Sequence, residues 1–486
     1  MNSTNTARAF IRMLVPPFLS LISVLLMSST FAATIVPDPV IKPIAYNAGS
    51  KQHPFVASIL DLSPYGYVEH EFQMSGTANT YDRDGRWTSD GQWNTKVARA
   101  NRPYATRMLV RRPADPAKFN GIVVVEWLNN TAIMDVDVIW AQSHLELMRE
   151  GYAWVGVSTQ TLGVRALRAW DRQRYNELHL TTDGVSYEVF SQAAQAVRHQ
   201  SDVVLGGLPV TGVIGAGESQ SAIRLTTYIN AFQAQAVQVY DAMLVYSRFP
   251  LAAPLKDGIT ALSPSKVYIR SDNALKILQL ETEQDVFFFR YRLARQDNTE
   301  LLRTWELAGA SHYDDYGVSK LLPQYQRDLP QLGSIQLVCR NSLNKIPSHY
   351  IVNSALSSLA KWITTGQAPA QSPRLEYANG KVVRDANGNA VGGIRLPHME
   401  AATATNNFNN YGSITSGGNF FINSFACPFL GNTVPFSKAK LQALYSTHQD
   451  YVSKFTEAAD AALNAGFLLQ ADYEEAVAQA QAAEVP

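Results

Sequence analysis

An α/β protein built on a mainly parallel sheet is the fold class this sequence predicts, and three observations carry that reading. Between residues 121 and 307, apolar runs bounded by turn residues alternate with segments of helical spacing. The run Gly121-Ile122-Val123-Val124-Val125-Glu126-Trp127 is nearly continuous in apolar character, as a strand buried on both faces of a sheet must be. The 486 residues are 46% hydrophobic and 17% charged, enough to bury a large core and too few charges for a disordered chain.

Taken in order, Thr34 to Ser63 is a proline-containing extended lead-in. Tyr65 to Thr77 and Tyr104 to Arg112 have the partial alternation and aromatic content of strands, and Pro113-Ala114-Asp115-Pro116 marks a turn. After the strand at Gly121 to Trp127, Ile139 to Glu150 has helical spacing and stops at Gly151, a residue suited to a helix end. Tyr152 to Ser158 is a buried strand, Ser191 to Val204 a helix, Val210 to Ala216 a strand and Ala222 to Phe232 a helix. Ala242 to Tyr246, Lys276 to Glu281 and Leu301 to Leu307 are three more strands. Such alternation is the signature of a parallel sheet covered by helices. Beyond Ala368 the pattern weakens: Asn379-Gly380 and Asn387-Gly388 are hairpin signals, and the Ala-, Gln- and Glu-rich tail from Ser437 predicts two surface-packed helices. The division that follows is 1–33 targeting segment, 34–367 core, and 368–486 an extension of hairpin and helices packed on the core.

The first 33 residues carry Arg8 and Arg12, then a mostly apolar stretch from Leu14 to Met27, then Ser28-Ser29-Thr30-Phe31-Ala32-Ala33. That is the pattern of a secretory signal peptide, with Thr30 and Ala32 at −3 and −1 of a cut after Ala32. The apolar stretch is short for a membrane span and contains Pro16-Pro17. The expectation is export to the periplasm or medium with no stable membrane anchor after cleavage. The two cysteines, Cys339 and Cys427, would in an oxidising compartment pair and close a loop of about 88 residues, worth about 4 kcal/mol in the chain-entropy model. Two buried thiols is the other reading. Lys+Arg and Asp+Glu both number 41, and no basic run stands out, so nothing points to nucleic acid. No metal is expected: there is no HExxH and no Cys/His cluster of ligand spacing. A dinucleotide fingerprint is also missing, and no cofactor is expected.

Four Gly-x-Ser triplets begin at Gly156, Gly184, Gly217 and Gly317, so the bare triplet decides nothing. A nucleophile elbow needs a strand before the serine, a helix after it, and small residues two positions to either side. Val213-Ile214-Gly215-Ala216 leads into Gly217-Glu218-Ser219-Gln220-Ser221, followed by Ala222-Ile223-Arg224-Leu225, and meets all three conditions, with Ser where Gly is usual at the last place. Gly156-Val157-Ser158 ends a strand, but no helix is expected to open at once after Thr159-Gln160. Ser219 is therefore the candidate nucleophile. A serine hydroxyl needs a base in hydrogen-bond reach. Of His312, His349, His398 and His448 downstream, His312 lies in the loop just past the last core strand, where this fold class delivers its base. His349 stands beside Pro347 before a helix, His398 in a turn-rich loop, and His448 in the tail helix facing solvent. The acid belongs a few residues past the preceding strand, which favours Asp285, with Glu283 and then Glu281 as alternatives, and leaves Asp272 further off. The oxyanion hole would take the N–H of Gln220 and a second from Leu128 or Asn129, in the sequence Trp127-Leu128-Asn129-Asn130 that stands where a His-Gly loop is familiar.

Four motifs then make the chain similar to a bacterial α/β-hydrolase-domain family over about Tyr67 to Phe467. They are Val124-Val125-Glu126-Trp127-Leu128-Asn129, Gly151-Tyr152-Ala153-Trp154-Val155-Gly156-Val157-Ser158, Gly217-Glu218-Ser219-Gln220-Ser221-Ala222 and Gly393-Ile394-Arg395-Leu396-Pro397. The resemblance implies the α/β-hydrolase fold, puts the nucleophile at Ser219 and makes Ser221 an ordinary elbow residue. The function expected is an exported serine hydrolase cleaving a small-molecule or polymeric carboxylic ester through an acyl-enzyme. The alternative is an exported binding protein that keeps the fold without catalysis.

Overall fold

The apolar runs become strands β1 (Val40–Pro43), β2 (Tyr67–Asp84), β3 (Asn94–Pro113), β4 (Ile122–Trp127), β5 (Ala153–Val157), β6 (Gly212–Glu218), β7 (Ala242–Tyr246), β8 (Lys276–Thr282) and β9 (Leu302–Leu307). They form one nine-stranded sheet in the order β1-β2-β3-β5-β4-β6-β7-β8-β9. Strands β5, β4, β6, β7, β8 and β9 run parallel, and β1, β2 and β3 are joined on antiparallel at one edge. This is the α/β-hydrolase fold. The computed structural model describes residues 35–46, 48–232, 238–258, 264–330, 337–412 and 424–485. The expected signal segment, 1–33, lies outside them.

Strands β4, β5, β6 and β7 are buried at every residue, which is why their sequences show no alternation. Helix Val138–Arg149 packs on helix Ser348–Thr365, and both rest on β6. Helix Ser186–His199 lies against β4, and helix Gln220–Ala231 against β6 and β7. Two buried arginines of β3 are each paired with two carboxylates. The Arg107 guanidinium meets Asp135 at 3.0 Å and Glu71 at 3.5 Å, while Arg111 meets Asp137 at 2.6 Å and Glu69 at 2.8 Å. Both arginine side chains are fully buried, and their partners Asp135 and Asp137 sit in the loop that follows β4.

Several elements differ from expectation. Strands β2 and β3 are longer than the alternating segments, because their far ends pair as a largely polar ribbon, Thr80 to Asp84 against Asn94 to Arg99, that carries no apolar period. A helix does open soon after Ser158, at Thr161–Trp170, with Gln160 as its extended N-cap residue. The expected helix at Ser191 to Val204 starts earlier and is interrupted: Ser186–His199 ends at Gln200, and a short turn follows at Ser201–Val204. The tail holds three helices where two were expected, Lys438–Leu444, His448–Asn464 and Gln470–Ala482, the break falling at the Thr447 N-cap. The Asn379-Gly380 signal is a hairpin turn, both residues at positive φ, between Tyr377–Ala378 and Lys381–Val382.

Residues beyond 368 meet the core closely. Ile394 bridges Leu307 at the end of β9, and the Trp305 indole donates to the Ala370 carbonyl. Cys339 and Cys427 are joined by a disulfide that closes an 88-residue separation. Among the described residues no helix is long and apolar enough to cross a membrane. Because Ile214 sits fully buried in β6, Ile214→Ala should cost about 2–5 kcal/mol. Urea denaturation should show a lowered midpoint with an unchanged slope.

Candidate active site

Strand β6 ends at Glu218 and the next helix starts at Gln220, so Ser219 alone makes the turn. It does so at φ 58° and ψ −117°, a conformation that a side-chain-bearing residue adopts at a cost of about 1–3 kcal/mol. The turn is held because the Ser219 N–H donates to the Tyr246 carbonyl at 2.9 Å, extending the β6–β7 ladder by one residue. Gly217 has to be small here: a Cβ on it would come within 2.9 Å of the Ser221 Cβ and 3.2 Å of the Ser221 carbonyl carbon.

The hydroxyl so presented lies 2.8 Å from Nε2 of His312. On the other side of the ring, Nδ1 lies 2.5 Å from Oδ1 of Asp285. The second oxygen of Asp285 accepts from the Thr282 N–H at 2.8 Å, the Thr282 hydroxyl at 2.6 Å and the Ser247 hydroxyl at 2.6 Å. Thr282 and Asp285 form a reciprocal capping box on the helix Glu283–Phe287, so the same bonds that start the helix aim the carboxylate. Burial works against charge on His312, yet Asp285 and Glu218 outweigh it and raise its pKa above the ordinary imidazole value.

The two alternative acids are elsewhere. Glu283 bonds the Gly309 N–H at 2.8 Å and pairs with Arg384 at 2.5 Å, which anchors the loop carrying His312. Glu281 is fully buried, and neither of its oxygens has a hydrogen-bond partner among the described residues; burial, with Asp285 nearby, pushes its pKa well up. Asp272 is tied to Arg270. His349 lies within the helix Ser348–Thr365, stacked on Tyr316 at 3.7 Å, and His398 lies in the short helix Pro397–Glu400. His448 is half-buried, its nitrogens at the carbonyls of Val485 and Gln481, and so does not simply face solvent. Ser158 is buried in the Arg107–Asp135 network.

The loop after β4 differs from expectation at Leu128 and Asn129. The Leu128 N–H donates to the Val157 carbonyl at 3.3 Å and the Asn129 N–H to Val136 at 3.0 Å, so neither expected donor is free for a substrate. The parallel ladder takes the first and the turn closing Asn129 on Val136 takes the second. The N–H of Asn130, next along, makes only a long 3.4 Å bond to Oε1 of Gln220. Gln220 itself opens its helix, where a backbone N–H has no acceptor in the helix.

Sequence reasoning passed over Thr282, Ser247, Gln284 and Asn130. Thr282-Glu283-Gln284-Asp285 has the spacing of a capping box and would have singled out Asp285 as an N3 carboxylate. Gln284 accepts from the His312 N–H at 2.8 Å and donates to the Phe408 carbonyl at 2.8 Å, linking the His312 loop to the C-terminal extension. No local signal marks Ser247 or Asn130.

Ser219 and His312 open into a cavity of about 190 Å³ whose walls are mostly apolar, with Val136, Val138 and Leu321 on one side and Phe425, Phe429 and Leu430 on the other. Phe289 and Phe429 stand 4.9 and 5.6 Å from the His312 ring. Among the described residues no group of three or more His, Cys, Asp or Glu is arranged to hold a metal ion.

Residues 40–478 match the family described as alpha/beta hydrolase domain, and the chain belongs to that family. No curated protein sequence matches it. Solved structures similar to it include an α/β serine hydrolase without a lid from Xanthomonas campestris, at 12% identity over 48% of this chain and 91% of that one, TM-score 0.27. The esterase Est22 matches at 10% identity over 62% and 81%, TM-score 0.30. A fungal esterase from Rhizomucor miehei matches at 10% over 56% and 89%, TM-score 0.29.

The disulfide ties Cys427, between Ala426 and Phe429 of the cavity wall, to Cys339. Replacing both cysteines by serine should lower stability by about 2–5 kcal/mol, read as a lower denaturation midpoint than that of the oxidised parent.

Proposed function

We propose that this protein is an exported serine hydrolase that cleaves carboxylic esters through an acyl-enzyme. One observation carries the reading: a buried imidazole has the Ser219 hydroxyl at one nitrogen and the Asp285 carboxylate at the other, at 2.8 and 2.5 Å, at the mouth of an apolar cavity. Ser219 Oγ attacks the ester carbonyl while His312 Nε2 takes its proton. Asp285 holds Nδ1–H and thereby the tautomer that leaves Nε2 free to accept. Negative charge on the former carbonyl oxygen is met by the N–H of Gln220 and that of Asn130, whose acceptor is a side-chain amide that can turn away, whereas the Leu128 and Asn129 N–H groups are held by backbone carbonyls. His312 then protonates the leaving alcohol, and water repeats the sequence to release the acid.

The mostly apolar walls beside Ser219 suit an apolar acyl group. Export rests on the pattern of residues 1–33 and is supported by the disulfide, since such bonds persist in oxidising compartments. The mature N-terminus, read by mass spectrometry of protein made with its own leader, should be Ala33.

A fluorophosphonate probe should label Ser219, located by peptide mass spectrometry, and Ser219→Ala should abolish labelling. Asp285→Asn and His312→Ala should each lower kcat by about 10⁴-fold or more on a short-chain aryl ester. A folded protein that takes up neither the probe nor a small organophosphate would be a binding protein on this fold.

A further inference from the structure

The elbow carries a carboxyl that the proposed reaction does not use. Glu218 is the last residue of β6, directly before Ser219, and its side chain is only 4% exposed. Its Oε1 lies 3.3 Å from Nε2 of His312, the same nitrogen that bonds the Ser219 hydroxyl. Its Oε2 lies 3.3 Å from the Asn129 side-chain amide, which also donates to the Glu218 carbonyl at 2.9 Å. The imidazole is thus bracketed by two carboxyls, Asp285 at Nδ1 and Glu218 at Nε2.

Their surroundings are unequal. Asp285 collects three hydrogen bonds besides the one from His312, while Glu218 has a single long one from an amide. Among the described residues, no lysine or arginine lines the cavity onto which Glu218 faces. The other titratable groups turned toward it are the buried phenols of Tyr246 from β7 and Tyr313 from the loop after His312. Two carboxyls at one buried imidazole do not both ionise cheaply, and the one with fewer donors keeps its proton.

We propose that Glu218 is a positioning residue for His312: as a neutral carboxyl it steadies the ring and accepts from Nε2–H after Ser219 has given up its proton, and its ionisation turns the site off from the alkaline side. The proposal rests on the serine-hydrolase reading above. Glu218 keeps its own proton throughout the cycle. Only the serine proton moves, to Nε2 and then to the leaving oxygen. Burial pushes Glu218 up, the Asp285 carboxylate adds to that, and His312 and Asn129 pull it back, leaving it at about 8. Between the raised pKa of His312 and that pH, Glu218 is neutral, the imidazole is free to take the serine proton, and the site works. Above it, a negative charge 3.3 Å from Nε2 holds the proton needed by the leaving group and opposes the charge forming on the substrate oxygen.

The test compares the parent, Glu218→Gln and Glu218→Ala on a small neutral aryl ester from pH 5 to 10. Their fluorophosphonate labelling rates and melting temperatures are followed alongside. The parent should give a bell-shaped kcat profile with an alkaline limb near pH 8, and that limb should be gone in Glu218→Gln. Glu218→Ala should lose at least tenfold more kcat at pH 7 than Glu218→Gln, with KM changed less than twofold. Superimposable profiles for parent and Glu218→Gln would overturn the proposal, as would equal loss of kcat in the two variants. The low-field Nδ1 proton of His312, followed by NMR, should titrate in two steps in the parent and in one step in Glu218→Gln. Identical titrations would overturn the coupling. If Ser219 takes no probe at any pH, the hydrolase reading falls, and the NMR titration still decides whether Glu218 and His312 are coupled.

Discussion

A single residue has to turn the chain from β6 into the helix Gln220–Ala231, and the backbone at Ser219 pays for that turn by standing at positive φ. Parallel pairing with β7 up to and including the Ser219 N–H leaves no slack on one side, and the first turn of the helix leaves none on the other. The hydroxyl is therefore thrown clear of the sheet at the carboxyl end of its central strands. Strands β8 and β9 run parallel to β6, so their ends release Asp285 and His312 at the same edge. The site's geometry follows from strand direction first and from side-chain bonding second.

What keeps the surrounding loops still is buried polar chemistry. Arg107 and Arg111 are fully enclosed, and each holds one carboxylate from β2 and one from the loop after β4, so the loop that offers Asn129 and Asn130 is tied to the antiparallel edge of the sheet. Removing one partner of such a pair leaves a charge stranded out of water, at about 3–5 kcal/mol. Trp127 and Gln220 both donate to Oε1 of Gln160, at 3.1 and 2.9 Å, which joins the end of β4 to the start of the elbow helix. On the far side, Glu283 and Gln284 bind the backbone of Gly309 and His312, and Gln284 reaches on to the C-terminal extension. The helix carrying Asp285 and the loop carrying His312 are thus fastened together independently of the Asp285–His312 contact.

The C-terminal extension supplies a wall of the cavity. Phe425, Phe429 and Leu430 face the space above Ser219, and the disulfide through Cys427 holds that segment to the chain at Cys339. A binding space assembled this way can change its shape by substitution in the extension without disturbing the strand ends that carry Ser219, Asp285 and His312.

The core strands β4 to β9 were legible because near-complete burial and turn punctuation are properties of the chain itself, as with the run from Ile122 to Trp127. The sharp strand-to-helix turn at Ser219 was legible for a similar reason: it demands small neighbours, and Gly217 and Ser221 are there in the sequence. The order of Ser219, Asp285 and His312 followed from strand order. The polar ends of β2 and β3 were not legible, since an exposed ribbon imposes no apolar period. That the N–H groups of Leu128 and Asn129 are taken was not legible, because their partners are Val157, far along the chain, and Val136, across a local turn. Glu218 stood in the elbow motif from the outset, but a carboxyl beside a serine says nothing about an imidazole 94 residues away. Sequence alone determined which segments are buried and where the chain must turn, because those are local demands. The tertiary structure decided which of three carboxylates meets His312, which N–H groups remain unpaired and what closes the cavity, because each depends on groups brought together from distant parts of the chain.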